Sequence, residues 1–372
     1  MNDTPLNLAD LADLARESLP EMAWGYYADG ARDQVTLGEN PAAWQSLRFR
    51  PRMLMEVERR SLMTRVLGRP QPWPLVVAPM AFQGMAHPDG EVATARAAGM
   101  SGVPMVCSTL SNRSIEEVCA ASREPTWFQL YVYRDRGASK ALIQRAEAAG
   151  AKALVLTVDC PILGTREGDI RRGFHLPEGL ICANLSGTAG EALPPIAKES
   201  GLGAYVASLI EPNLGWKDIA WLRGITDLPI LLKGVLHAED ARIAAEHRVA
   251  GVVVSNHGGR QLDSAISTAR ALDEIQQATG GSIELHVDGG IRRGGDVLKA
   301  MALGAKAVWL GRPVLHGLAW AGGSGVSFAL SLLRNELDEA MALAGVTSLA
   351  DIPADLLAGP WRGAHGGDTV RP

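Results

Sequence analysis

The sequence predicts an α/β chain closed into a (β/α)8 barrel, and three observations point there. Eight short apolar, β-branched runs recur through the middle of the chain. Ala-rich stretches with helical spacing alternate with them. Nearly every run ends in a polar or charged group. The runs are LVVA at 75–78, VPMVC at 103–107, WFQLY at 127–131 and LVLTV at 154–158, then ILLK at 230–233, VVVS at 252–255, LHVD at 285–288 and AVWL at 307–310. Mostly apolar strands of this kind suit a parallel sheet buried on both faces. Helical spacing over 91–100, 138–149 and 238–248 makes the connections βαβ units. Eight such units close a barrel, with a doubly wound open sheet as the alternative.

The 372 residues read as one domain. Residues 1–74 are an N-terminal extension with helical patterning, expected either to plug the bottom of the barrel or to contribute to its mouth. Residues 75–350 form the barrel. Between the fourth and fifth strands, 160–215 is a long insert rich in Gly, Ala, Ser and Pro, expected to be partly mobile. The Gly-rich tail, 359–372, is expected to be loose.

Composition excludes several partners. Apolar residues make up 47% and charged ones 21%, as in a globular protein with a large core. A net charge of −5 without any basic block argues against nucleic acid or an anionic membrane. The mostly apolar stretches fall far short of the ~20 residues of a membrane span. The acidic, amphipathic N-terminus does not read as a signal peptide, and the terminal VRP is no peroxisomal address. Cys107, Cys119, Cys160 and Cys182 are scattered, with no CxxC pair and no zinc spacing. They read as reduced thiols in a cytoplasmic protein.

Barrel active sites lie at the C-terminal ends of the strands. Here those ends carry Pro79-Met80-Ala81, Ser108-Thr109, Gln129 and Tyr131, Thr157 and Asp159, and Lys233. After them come Ser255-Asn256-His257-Gly258-Gly259-Arg260, Asp288-Gly289-Gly290-Ile291-Arg292, and Gly311-Arg312. A polar rim is ordinary in a barrel. The convergence of Lys, His, Asp and three Arg on one rim is not. DGGIRRGGD and LGRP join glycine-opened backbone to arginines after the last two strands, where barrels frequently bind phosphate. Gly290 and Gly311 let backbone approach; Arg292 and Arg312 supply charge. That feature alone fits many barrel enzymes, including a flavin-free aldolase or isomerase with a phosphorylated substrate. SNHGGRQLD is sharper: a histidine suited to proton transfer near neutral pH, two glycines that clear space, and an arginine suited to clasping a carboxylate.

These motifs carry a resemblance. In order they are YYADGARD at 26–33, FRPRML at 49–54, APMAFQGMAHPDGE at 78–91, WFQLY at 127–131, TVDCP at 157–161, LKG at 232–234, SNHGGRQLD at 255–263, DGGIRRGGDVLKA at 288–300 and LGRP at 310–313. The chain resembles, from about residue 6 to about residue 350, the FMN-dependent 2-hydroxy-acid oxidases and dehydrogenases, which include glycolate, lactate and mandelate oxidases. The resemblance implies FMN as cofactor and oxidation of an L-2-hydroxy acid to a 2-oxo acid. It implies His257 as the base and Asp159 as the carboxylate that orients it. Arg260 and Arg166 become the substrate-carboxylate clamps, with the Tyr26 and Tyr131 hydroxyls nearby. Lys233 becomes the cation beside flavin N1 and O2. Ser108, Gln129, Thr157 and Ser255 become cofactor contacts, with Pro79, Met80 and Ala81 the backbone strip along the ring. Asp288 falls on the ribityl chain; Gly290, Arg292, Gly311 and Arg312 form the phosphate cradle.

Two positions bear on substrate and acceptor. Glycolate oxidase carries tryptophan where this chain has Leu110, which implies a more apolar pocket lined by Met80, Met85 and Leu110, and a substrate bulkier than glycolate. Ala81 stands where the oxidases tend to have Ala and the membrane-linked dehydrogenases Gly, which favours oxygen as acceptor and hydrogen peroxide as product. A dehydrogenase passing electrons to a quinone or a protein is the alternative. The resemblance further implies a homo-oligomer, a tetramer or octamer.

Overall fold

The computed structural model describes residues 4–185 and 209–360. Its eight parallel strands close into a barrel. They are β1 (Leu75–Val77), β2 (Met105–Cys107), β3 (Thr126–Leu130), β4 (Leu154–Thr157), β5 (Ile230–Val235), β6 (Gly251–Val254), β7 (Glu284–Val287) and β8 (Ala307–Leu310). β8 closes the ring by pairing with β1, Val308 opposite Leu75 and Leu310 opposite Val77. The strands are buried almost throughout, so side chains alternate between two apolar compartments. Val76, Val106, Trp127, Val155, Leu231, Val253 and Trp309 fill the barrel interior. The other face packs against the helices. Each of the eight apolar runs overlaps a strand, with ends differing by up to two residues. β2 begins at Met105 rather than 103, because Pro104 has no N–H to give the ladder.

The N-terminal extension serves both ends of the barrel. Helix α1 (Leu8–Ser18), whose first turn is capped by the Asn7 side chain on Ala9 N and Asp10 N, packs on the last helix, Arg312–Ala344. That last helix is broken at Ala321 and Gly322. Helices α2 (Glu21–Ala28) and α3 (Val35–Ser46) reach the mouth. The Asn40 and Asn256 amides exchange two bonds of 2.8 Å, and Trp44 Nε1 donates to Gly289 O at 2.8 Å. At the opposite end a hairpin pairs Thr64–Val66 with Arg69–Gln71 through a two-residue turn, Leu67 and Gly68, both at positive φ. Val66 and Leu67 pack into the barrel interior, and Leu67 N donates to Glu284 Oε1 at 2.9 Å at the start of β7.

The insert after β4 is ordered where it is described. It holds a short helix, Glu167–Arg171, and a 3-10 turn, Ala183–Leu185. Of the 160–215 insert expected to be partly mobile, 186–208 lie outside the described residues, as does the tail from 361 on. No helix among the described residues is long and apolar enough to cross a membrane.

Candidate active site

The C-terminal ends of the strands open into one cavity of about 1420 Å³. Of the residues expected at the site, all but Asp159 and Ser255 line it; Met85, expected beside Met80, does not. Phe82 turns into the left-handed region at φ 59° and starts the 3-10 turn Gln83–Met85, which carries Met85 away from the cavity.

Asp159 stands behind His257. Its two carboxylate oxygens lie 3.1 Å from His257 Nδ1, so that nitrogen carries the proton and leaves Nε2 free to accept one. Burial pushes the imidazole below its ordinary value, against the pull of Asp159 and helped by the Lys233 and Arg260 cations; His257 rests neutral. Burial alone raises Asp159, but its neighbours, the His257 ring and the Lys233 ammonium, hold it below the usual carboxylate range. With His257 neutral, Lys233 is the cation that keeps it ionised.

Backbone geometry makes this arrangement possible. A bulge in β5 shifts its register with β6 between Lys233 and Val235. At its centre Gly234 has φ 110°, and a Cβ there would come within 2.5 Å of Asp159 Cβ. His257, Gly258 and Gly259 all have positive φ, at 57°, 64° and 76°. This bend turns His257 back over the end of β6.

Lys233 is buried, 3.2 Å from Asp288 Oδ2 and 3.0 Å from Ser255 Oγ. Burial lowers an amine, but Asp288 and Asp159 more than compensate and hold Lys233 above its ordinary value, so the ammonium persists. The Ser255 hydroxyl also accepts from His257 N at 3.0 Å, joining the base to the lysine from behind the cavity wall. Asp288 Oδ1 is buried with no hydrogen-bond partner. At the polar edge, Gln129 Nε2 donates to Thr157 Oγ1 at 2.9 Å, and Ser108 Oγ to Gln129 Oε1 at 3.3 Å.

Two cations lie beside Tyr26. The Arg260 guanidinium sits 4.9 Å from the ring centroid and Arg166 5.6 Å. Arg260 is anchored by Nη1 donating to Tyr26 O at 2.6 Å and Asp29 O at 2.9 Å. Burial and the neighbouring Arg166 push it down to about 10, so it stays charged near neutral pH. Arg166 is paired with Asp169, Nε to Oδ2 at 3.2 Å. Phe174 stacks on Tyr26, with its ring 4.3 Å from that of Tyr26 and 13° from parallel. Tyr131 is buried in the same wall. Arg292 donates to Ile291 O at 2.9 Å, and Arg312 donates to the carbonyls of Tyr27, Gly258 and Asp29, the last shared with Arg260. Gly311 precedes the helix that Arg312 begins, so the first turn of that helix lines the cavity.

Sequence reasoning missed four contributors. Asp169 and Phe174 lie in the insert, where nothing periodic marks them. Gln261 lies inside SNHGGRQLD; its amide donates to Asp159 O at 2.7 Å and Ile162 O at 2.9 Å and accepts from Gly164 N at 2.9 Å, which ties the loop after β4 to the loop after β6. Cys160 lies within TVDCP, and its Sγ is 3.3 Å from Asp159 Oδ1.

Fold and site define a barrel enzyme with one large cavity at the C-terminal ends of its strands, where a histidine–aspartate pair meets a buried lysine and several arginines. The family model of FMN-dependent dehydrogenases matches residues 15–359. The chain is 51% identical to an L-lactate oxidase of Nostoc sp. over 95% of this chain and 98% of that protein. It is 47% identical to the glycolate oxidase of Spinacia oleracea over 96% of each. Among solved structures it is similar to mandelate oxidase with (S)-4-hydroxymandelic acid, with a TM-score of 0.89, 44% identity, and coverage of 95% of this chain and 98% of that one. The chain belongs to the FMN-dependent dehydrogenase family, and FMN is its cofactor.

Proposed function

We propose that this chain oxidises a small L-2-hydroxy acid to its 2-oxo acid and passes the electrons to oxygen, releasing hydrogen peroxide. One observation carries the reading: a carboxylate-oriented imidazole, His257, shares a cavity with the paired cations Arg260 and Arg166 and with the buried Lys233. Bound FMN supplies the two-electron acceptor. The residues fit it. Asp288 Oδ1 is a buried acceptor without a partner, which suits a ribityl hydroxyl. Gly290, Arg292, Gly311 and Arg312 all line the cavity, and their glycine-opened backbone and positive charge suit a phosphate. Pro79, Met80 and Ala81 line one wall; Ser108, Gln129 and Thr157 offer hydrogen-bonding groups; Lys233, steadied by Ser255, brings fixed positive charge.

The substrate carboxylate binds Arg260 and Arg166, with the Tyr26 and Tyr131 hydroxyls beside it. Nε2 of His257 accepts a proton from the substrate, and Asp159 stabilises the imidazolium that results. Leu110, Met80 and Phe174 give the cavity apolar surface, which favours a lactate-like or mandelate-like side chain over glycolate. The cytoplasm as compartment and a homotetramer belong to the same reading, supported by four free thiols and by the family.

The test is spectral. L-lactate and L-mandelate are added separately to the yellow protein under nitrogen, and air is then readmitted. Bleaching by one of them, with recolouring and peroxide in air, is expected. Recolouring only with an artificial acceptor would assign a dehydrogenase; no bleaching by any 2-hydroxy acid would sink the reading.

A further inference from the structure

Behind the base, Cys160 has no part in the chemistry above, yet it stands against the two residues that do. Asp159, Cys160 and His257 bring a carboxylate oxygen, a sulfur and an imidazole nitrogen within 4.8 Å of one another, the one such group of three among the described residues. Asp159 Oδ1 lies 3.1 Å from His257 Nδ1 and 3.3 Å from Cys160 Sγ, and Sγ lies 3.7 Å from Nδ1. A tetrahedral zinc ion with ordinary bond lengths sets its nitrogen and oxygen ligands about 3.3 Å apart and its sulfur about 3.5 Å from each. The triangle therefore already has the dimensions of one face of a zinc tetrahedron. Ligand softness suits the same ion: one thiolate, one imidazole and one carboxylate form a set for zinc rather than for magnesium or calcium. Neighbouring residues hold the triangle in place. Gln261 fixes the Asp159 backbone, Ser255 fixes that of His257, and Cys160 is buried.

We infer that Asp159, Cys160 and His257 form an inhibitory site for a thiophilic divalent ion such as Zn2+. Binding costs one proton. The Cys160 thiol loses its hydrogen and the thiolate binds the ion. The proton on His257 Nδ1 gives way to the metal, and the neutral ring carries its hydrogen on Nε2 instead. In that tautomer Nε2 has no lone pair for the substrate, and Asp159 is engaged by the ion. Zinc thus switches off the base while the cofactor stays bound. The inhibition rests on the reading of His257 as base; the binding does not.

Equilibrium dialysis of the FMN-loaded enzyme against Zn2+, followed by metal analysis, measures binding alone. Peroxide release with and without Zn2+, and after a chelator, measures its effect. Wild type is expected to take up one zinc per chain that C160A does not, and to be inhibited reversibly with FMN retained. The half-inhibiting concentration should rise on the order of 100-fold or more in C160A, since loss of an outer-shell partner alone costs 10–100-fold. Each protein is compared with itself, so any effect of C160A on turnover cancels. C160S is a second variant of nearly the native shape and should behave like C160A. Equal zinc uptake by wild type and both variants would overturn the site. Cys160-dependent uptake without inhibition would uphold the site and overturn the assignment of His257 as base.

Discussion

His257 occupies the left-handed region at φ 57°, where a non-glycine residue is uncommon, and its ring rests on the Asp159 carboxylate. The strain has a return in geometry: it is this bend that turns Nδ1 toward Asp159 and leaves Nε2 for the substrate. Asp159→Asn keeps the size of the side chain but removes the charge that stabilises the imidazolium. Its kcat/KM is expected to fall by roughly 10²–10⁴-fold, within the range of what proton transfer contributes, with FMN content unchanged. Turnover near the wild-type rate would show that Asp159 is not needed. Gly259, at φ 76°, carries the same bend onward, and a Cβ there would come within 2.7 Å of Leu37 N at the start of α3. Gly259→Ala should cost more than about 1 kcal/mol of stability, read as a lower thermal midpoint.

Among the elements, the barrel strands were the most legible. Eight apolar runs bounded by turn residues are long-lived signals, because burial on both faces leaves no polar position to confuse them. The catalytic ends were legible for the same reason: His257 and Lys233 stand at the ends of VVVS and ILLK. The contacts that complete the site were not. The Arg166–Asp169 pair and the stacking of Phe174 on Tyr26 depend on how an irregular segment after β4 folds back on α2, and no local periodicity encodes that. Nor did the extension divide as expected between two alternatives, since its helices serve the mouth while its hairpin serves the other end. That hairpin makes a pH prediction. Glu284 accepts from Leu67 N and from His286 Nε2, each at 2.9 Å. Burial raises its pKa, but the His286 hydrogen bond and charge outweigh burial and hold it below the ordinary value. A depressed folded pKa contributes stability above the unfolded pKa and loses it as pH falls through the folded one. Wild type should therefore exceed Glu284→Gln in stability near neutral pH by about 1.5–3 kcal/mol, as for a hydrogen bond to a charged group. That lead should vanish in melts below the ordinary carboxylate range; a lead that persists there would rule Glu284 out as its source.

For the whole molecule, the cofactor is a structural partner as well as a reagent. Buried Lys233 and partly buried Arg260, Arg292 and Arg312 line one cavity and bring like charges close together. Anything that binds only the folded chain stabilises it by mass action, about 2.7 kcal/mol at a hundred times its Kd. Removing FMN is expected to lower the thermal midpoint, and adding it back to restore the loss; an unchanged midpoint would mean that the folded chain gains nothing from the cofactor. The hairpin at the far end has a different consequence. With Val66 and Leu67 packed against the barrel-interior residues, the described residues close the barrel axis at that end, and on the reading proposed above acid, keto product and oxygen share the mouth. They must queue. Oxygen then finds its way in best after the product has left, and double-reciprocal plots at several oxygen concentrations should run parallel rather than cross.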